Sequence, residues 1–178
     1  MRKEFSKALR TSFSKKMQTL VPQFHPEKVT SSYCWPGERA FCNRIDESLC
    51  CWIVLSPSPK DYDEFTLLLG WSIYGKYPET GVVPLLNLPT PDHKEFAQPE
   101  YLMRLPQLWT ESDPWWVIKP FTVALTSAQL QASLTPLTQA ETEVLVLPQV
   151  EAAFGKLLEV GLPYLAKYVA FRGGAGAA

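Results

Sequence analysis

No stretch of this sequence approaches the roughly 18 consecutive apolar residues that a membrane-spanning helix requires, so no transmembrane helix is expected. The N-terminus has bases but no apolar run behind them, which argues against a secretory signal. Its Arg- and Ser-containing start is of the amphipathic kind found in transit peptides, but Glu4 and the smooth entry into a helical pattern argue against one. The cytoplasm is the expected location. The nine glycines form no G-x-G-x-x-G run and no Walker loop, so a glycine-rich phosphate cradle is not expected. There is no G-x-S-x-G elbow for a seryl nucleophile. Four cysteines are too few for a secreted disulfide scaffold of this length. Their spacings (Cys34, Cys42, Cys50, Cys51) contain no C-x₂₋₄-C pair of the sort that wraps zinc. Core thiols are the expected reading, with no metal and no cofactor.

What is present suits one domain. The chain has 178 residues, 46% hydrophobic and 20% charged, enough apolar material for a single core. A net charge of −1 provides no strong nucleic-acid signal, but the charge is unevenly placed. Residues 1–20 carry six bases and one acid, a local +5, leaving −6 on the remainder. A solvated basic helix face explains this; docking on an acidic partner or anionic surface is the sharper alternative.

Within 1–20, Phe5, Leu9, Phe13, Met17 and Leu20 recur at helical spacing and form one apolar stripe. Pro22 and Pro26 end that helix. Strands are expected over 28–35, 38–45, 49–55 and 65–73. The third is apolar on both faces, which calls for cover on both sides. In the fourth, Gly70 marks a bulge or a close backbone approach. Eight of the sixteen prolines lie between Pro78 and Pro120, which predicts irregular chain with short elements. One or two helical turns are expected over 98–105, and a fifth strand or an aromatic wedge over 115–118. Short helices are expected over 126–134, from Pro148 to a C-cap at Gly161, and over 162–170; 143–147 is ambiguous. Residues 173–178 read as a frayed tail, leaving 1–172 as the folded domain. The fold class expected is α+β: an antiparallel meander of four to five strands with the N-terminal and C-terminal helices packed on one face.

Chemistry-bearing residues are sparse. Asp61, Asp63 and Glu64, with His93, are the candidates for a small hydrolase or transferase site near the 56–64 loop. Paired carboxylates do such work only when their surroundings push their pKa values apart, and a polar Pro-Ser-Lys loop offers no evident means. The aromatics are more informative. Trp52 and Trp71 lie mid-strand and read as core. Trp109, Trp115 and Trp116 lie among prolines and acids; they either pack over the sheet or leave at least one indole exposed to anchor a protein partner.

The order of helix, antiparallel sheet, proline-rich segment and C-terminal helices resembles small bacterial proteins classed as domains of unknown function. Some of those are suspected immunity or accessory proteins of toxin systems. Phe5 and Leu9, Trp52, Gly70-Trp71-Ser72 and Gly161-Leu162-Pro163-Tyr164 carry the resemblance. The resemblance supplies no catalytic residues. The absence of a catalytic constellation and the placing of aromatics and prolines on a surface-capable segment lead to the expectation of a non-enzymatic cytosolic binding, immunity or accessory protein acting through a protein–protein surface.

Overall fold

The computed structural model describes residues 1–60, 62–84, 89, 91–120, 126–127 and 135–175. Helix α1 (Lys3–Leu20) leads into β1 (His25–Glu27), β2 (Arg39–Arg44), β3 (Cys50–Pro57) and β4 (Asp63–Ser72), an antiparallel meander. The far edge of β4 is shared end to end by two short strands. β5 (Glu100–Arg104) pairs with 68–72, and β6 (Trp116–Lys119) pairs with 63–65, making six strands in one sheet. Helix α2 (Gln139–Lys156) continues through a π-helical segment (Leu157–Gly161) into α3 (Leu162–Ala175).

Strand alternation divides the sheet into two apolar faces. Phe41, Ile53, Leu67, Leu69, Trp71 and Met103 face the helices, where Phe5, Leu9, Phe13 and Met17 of α1 meet Val146, Val150 and Phe154 of α2. Those four α1 side chains are completely buried. Each such burial contributes roughly 1.5–3 kcal/mol, so packing rather than capping holds α1. Its N-cap, Arg2, makes no side-chain cap bond. Instead Asp63 reaches across and accepts from the Arg2 backbone N–H at 2.9 Å and from Nε at 3.0 Å. A carboxylate at a helix N-terminus also complements the dipole.

The opposite face carries a second, smaller core: Ala40, Cys42, Cys50, Trp52, Val54, Leu68 and Leu102, covered by Val29, Cys34, Tyr77 and Val82 from irregular segments. This explains why β3 is apolar on both sides. It also corrects the strand expected over 28–35. That stretch is cover, and the first strand is the three-residue β1, whose Pro26 is tolerated at a sheet edge.

Glu38 lies at the margin of this second core. Its carboxylate accepts from the Trp35 backbone N–H at 2.8 Å and from Ser56 Oγ at 2.6 Å. Burial nevertheless holds its pKa above the ordinary 4.5. An acid whose pKa is raised on folding contributes stability fully below its unfolded pKa and loses it as the pH rises through the folded value. The native chain should therefore gain stability relative to Glu38→Gln as the pH falls from neutral towards 4.5. Urea unfolding of both proteins across that range checks this; a difference that shrinks on acidification would contradict it.

The C-terminal helices differ from expectation in three ways. Pro148 lies inside α2, exposed, and the carbonyl its missing N–H leaves free belongs to the exposed Val144. The helix begins well upstream, with Thr138 as N-cap in a reciprocal capping box with Glu141. Gly161 is not a C-cap. Pro163 cannot donate to the carbonyl of residue 159, and the chain relaxes into a π turn, Leu162 N–H bonding to Leu157 O. A Cβ on Gly161 would stand 2.9 Å from Leu105 and 3.2 Å from Leu69, so the missing side chain lets the helix lie close on the sheet. Finally, α3 runs on to Ala175, into the stretch expected to fray. Within the stretch 98–105, expected as helical turns, residues 100–104 form β5, because Tyr101 and Met103 pair with the open edge of β4. The helix expected over 126–134 falls almost wholly outside the described residues.

Candidate protein-binding groove

After β5 the chain makes a single 3₁₀ turn (Leu105–Leu108), and Trp109 emerges at its end, 37% exposed. A polar turn held by Thr110 and Ser112 follows, then Asp113, which pairs with Arg104 at 3.0 Å. That ion pair folds the chain back so that Pro114 and Trp115 enter β6 beside Trp109. Trp116 is anchored by stacking on Phe65 of β4, ring centroids 5.7 Å apart, and lies 6.5 Å from the Trp109 ring. Arg104 stands over the Trp115 ring at 5.9 Å. Thus Trp109, Pro114, Trp115 and Trp116 form one wall of a groove of about 470 Å³.

The other wall belongs to α2 and the π turn. Ala153 and Phe154 point into the core, so Ala152, Gly155, Lys156 and Glu159 face outward at helical spacing. Gly155 leaves the floor open, since a Cβ there would meet nothing within 4 Å. Lys156 bridges the walls: Nζ lies 5.5 Å from the Trp109 ring centre and pairs with Glu159 at 2.8 Å. An apolar trough with a rim of paired charges of both signs has the anatomy of a protein-binding surface.

The structure therefore brings Trp109, Trp115 and Trp116 together. The small residues opposite them are not singled out by the sequence, although Ala152, Gly155 and Glu159 share a face of the helix expected from Pro148 onward.

The acid–base candidates are not brought together. Asp61 lies outside the described residues. Asp63 is engaged with Arg2 at the first residue of β4. Glu64 pairs in the ladder opposite Val117 of β6. His93 stacks on Phe96 at 4.6 Å, and Phe96 packs against Trp71, near the other end of β4. Eight residue steps along the strand, roughly 26 Å of chain, separate Asp63 from Trp71. His93 has its own setting: a left-handed backbone (φ 49°), with Nδ1 3.2 Å from Glu95, which also accepts from Tyr164 Oη at 2.9 Å.

The cysteines serve as core. Register places Cys42 and Cys50 diagonally on the second face, with His25 opposite Cys42. Among the described residues no three His, Cys, Asp or Glu side chains are placed to hold a metal ion. Burial pushes the Cys34 and Cys51 thiols up to about 12, which keeps them protonated and poor nucleophiles near neutral pH.

Compared with known proteins, the chain matches no family model, no curated protein and no solved structure. Among the described residues, no helix is long and apolar enough to cross a membrane.

Proposed function

We propose that this is a non-enzymatic binding protein of the immunity or accessory type, working in the cytoplasm through the groove between the tryptophan segment and α2. One observation carries the reading. Trp52 and Trp71 are consumed by the core, whereas Trp109, Trp115 and Trp116 converge on an open apolar trough whose far wall is cleared by Ala152 and Gly155. The occupant is a protein segment presenting apolar side chains to the indoles and charged groups to the Lys156–Glu159 and Arg104–Asp113 rim. Tryptophans in such settings carry a large share of binding energy.

Gly155 provides the test, because the space beside it accepts a side chain. A photo-crosslinking amino acid at position 155, used in the native host, should capture one partner that can be identified and purified. In binary titration, Trp109→Ala and Trp115→Ala should each weaken that complex by about 2 kcal/mol, roughly thirtyfold. Trp35→Ala, which removes an indole 61% exposed outside the groove, should leave it unchanged. Equal affinity for all three variants would rule the groove out as the binding surface.

A further inference from the structure

Helix α1 turns its apolar stripe to the sheet and a second stripe outward. Lys3, Ser6, Lys7, Arg10 and Thr11, at i, i+3, i+4, i+7 and i+8, line one groove of about 370 Å³. Its opposite side is Arg39, the first residue of β2. Pleating explains this arrival. Arg39 and Phe41 share the helix-facing side of β2, and Phe41 lies 5.7 Å from Phe13 of α1, so Arg39 comes up beside the turn that precedes Phe13. Four cations from two distant parts of the chain thereby face one small concavity, and no acidic residue lines it.

The other bases of α1 behave differently. Arg2 is paired with Asp63 at 3.0 Å and Lys16 with Glu151 at 2.7 Å. Among the described residues Lys3, Lys7, Arg10 and Arg39 have no ion-pair partner. Arg10 is held in place by Nη2 donating to Gly37 O at 3.3 Å, while its Nε–H is buried without an acceptor. Lys3 stands in the first turn of α1, where the helix dipole is already positive. The fold thus concentrates mutual repulsion at this point without relieving it.

We propose that this groove binds a compact, multiply charged phosphate-type anion, the polyphosphate portion of a small molecule or of a lipid headgroup. Guanidinium forks suit bidentate contact with phosphoryl oxygens, and the lysines add point charges beside them. Two hydroxyls, Ser6 and Thr11, line the same groove and can donate to the remaining oxygens. Compactness follows from the surrounding charge. Outside residues 1–20 the chain carries a net −6, which would repel an extended polyanion beyond the groove. The site is independent of the tryptophan groove, with which it shares no residue.

The experiment is calorimetric titration of the whole chain with inorganic tripolyphosphate at about 0.15 M salt, where exposed, unfocused charge is screened. Saturable binding of one equivalent is expected, with a melting temperature that climbs with the logarithm of ligand concentration. The double variant Lys7→Ala/Arg39→Ala should bind at least tenfold more weakly. Arg39→Lys should lose less, and Lys76→Ala, at a base outside the groove, should lose nothing. All these positions are exposed, and unliganded melting curves confirm that each variant is folded. A second arm uses vesicles containing a phosphoinositide. Binding tighter there than to tripolyphosphate identifies a headgroup as the source, and the reverse identifies a soluble phosphate compound. The proposal is overturned by absence of saturable binding in both arms, by a double variant that binds like the native chain, or by tighter binding to a single-stranded oligonucleotide than to either probe.

Discussion

Trp71→Ala is expected to lower the unfolding free energy by about 4 kcal/mol, within the range for core aromatics. The indole is completely buried and stacks between Tyr101 at 4.7 Å and Tyr168 at 4.0 Å, with the edge of Phe96 at 5.6 Å. Tyr101 is its cross-strand partner on β5, whereas Tyr168 comes from α3. One side chain therefore joins β4, β5, the 3₁₀ turn at Lys94–Ala97 and the C-terminal helix. Its Nε1 also donates to Gln98 O at 3.0 Å, and alanine would leave that carbonyl without its donor. Domains of this size are stable by only about 5–15 kcal/mol, so the variant would lose a large share of the total. Urea unfolding followed by circular dichroism should show a lower midpoint with little change in slope. A second readout is specific to the stack. Burial, with Glu95 nearby, pushes the Tyr101 phenol up to about 12. Opening the stack to water should return it towards 10, visible as tyrosinate absorbance at lower pH in the folded variant. Trp71→Phe should fall between the two proteins, because it keeps a ring in the stack and loses the hydrogen bond.

Gly70→Ala is expected to cost about 3 kcal/mol, although it adds a single methyl group. Gly70 lies opposite Leu102 in the β4–β5 ladder. A Cβ at this position would overlap the backbone carbonyl oxygen of Tyr101 and stand 2.9 Å from Leu102 Cδ1. A backbone oxygen cannot rotate away, so β5 would have to separate from β4. Gly70→Val should fail to accumulate as folded protein. Gly155→Ala provides the contrast. It fills open space on an exposed helix surface and should stabilise the chain by about 1 kcal/mol through helix propensity alone. Thermal unfolding of the two alanine variants side by side reads both signs. A Gly70→Ala protein as stable as the native chain would mean that β5 is not held against β4 at this point.

These two positions show how much of the fold was readable from local pattern. A glycine within an otherwise apolar strand signals a bulge or a close backbone approach; it proves to be a close approach, that of β5. A run apolar on both faces signalled a doubly covered strand, and β3 has cover on both sides. The stripe at Phe5, Leu9, Phe13 and Met17 identified α1. The failures share one cause. Residues 100–104 have no strong periodicity of their own and become a strand by pairing with a neighbour's free edge. Pro148 and Pro163 would end isolated helices. Here an exposed helix position at one and a π turn at the other allow one apolar series, Val146 to Tyr168, to run unbroken along the sheet. Only Asp61 among the acid–base candidates lies outside the described residues; Asp63 and His93 have structural partners at opposite ends of β4.

Composition and spacing by themselves determined the α+β class, the faces of α1 and the central strands, and the supply of indoles in the 109–116 segment. Those properties depend on side-chain periodicity, which is written in adjacent residues. The tertiary structure alone decided that three tryptophans meet Ala152 and Gly155 across a groove, and that Arg39 joins three bases of α1. Both are juxtapositions of residues distant in the chain, created when sheet and helices bury their apolar faces against each other, and no local pattern encodes them.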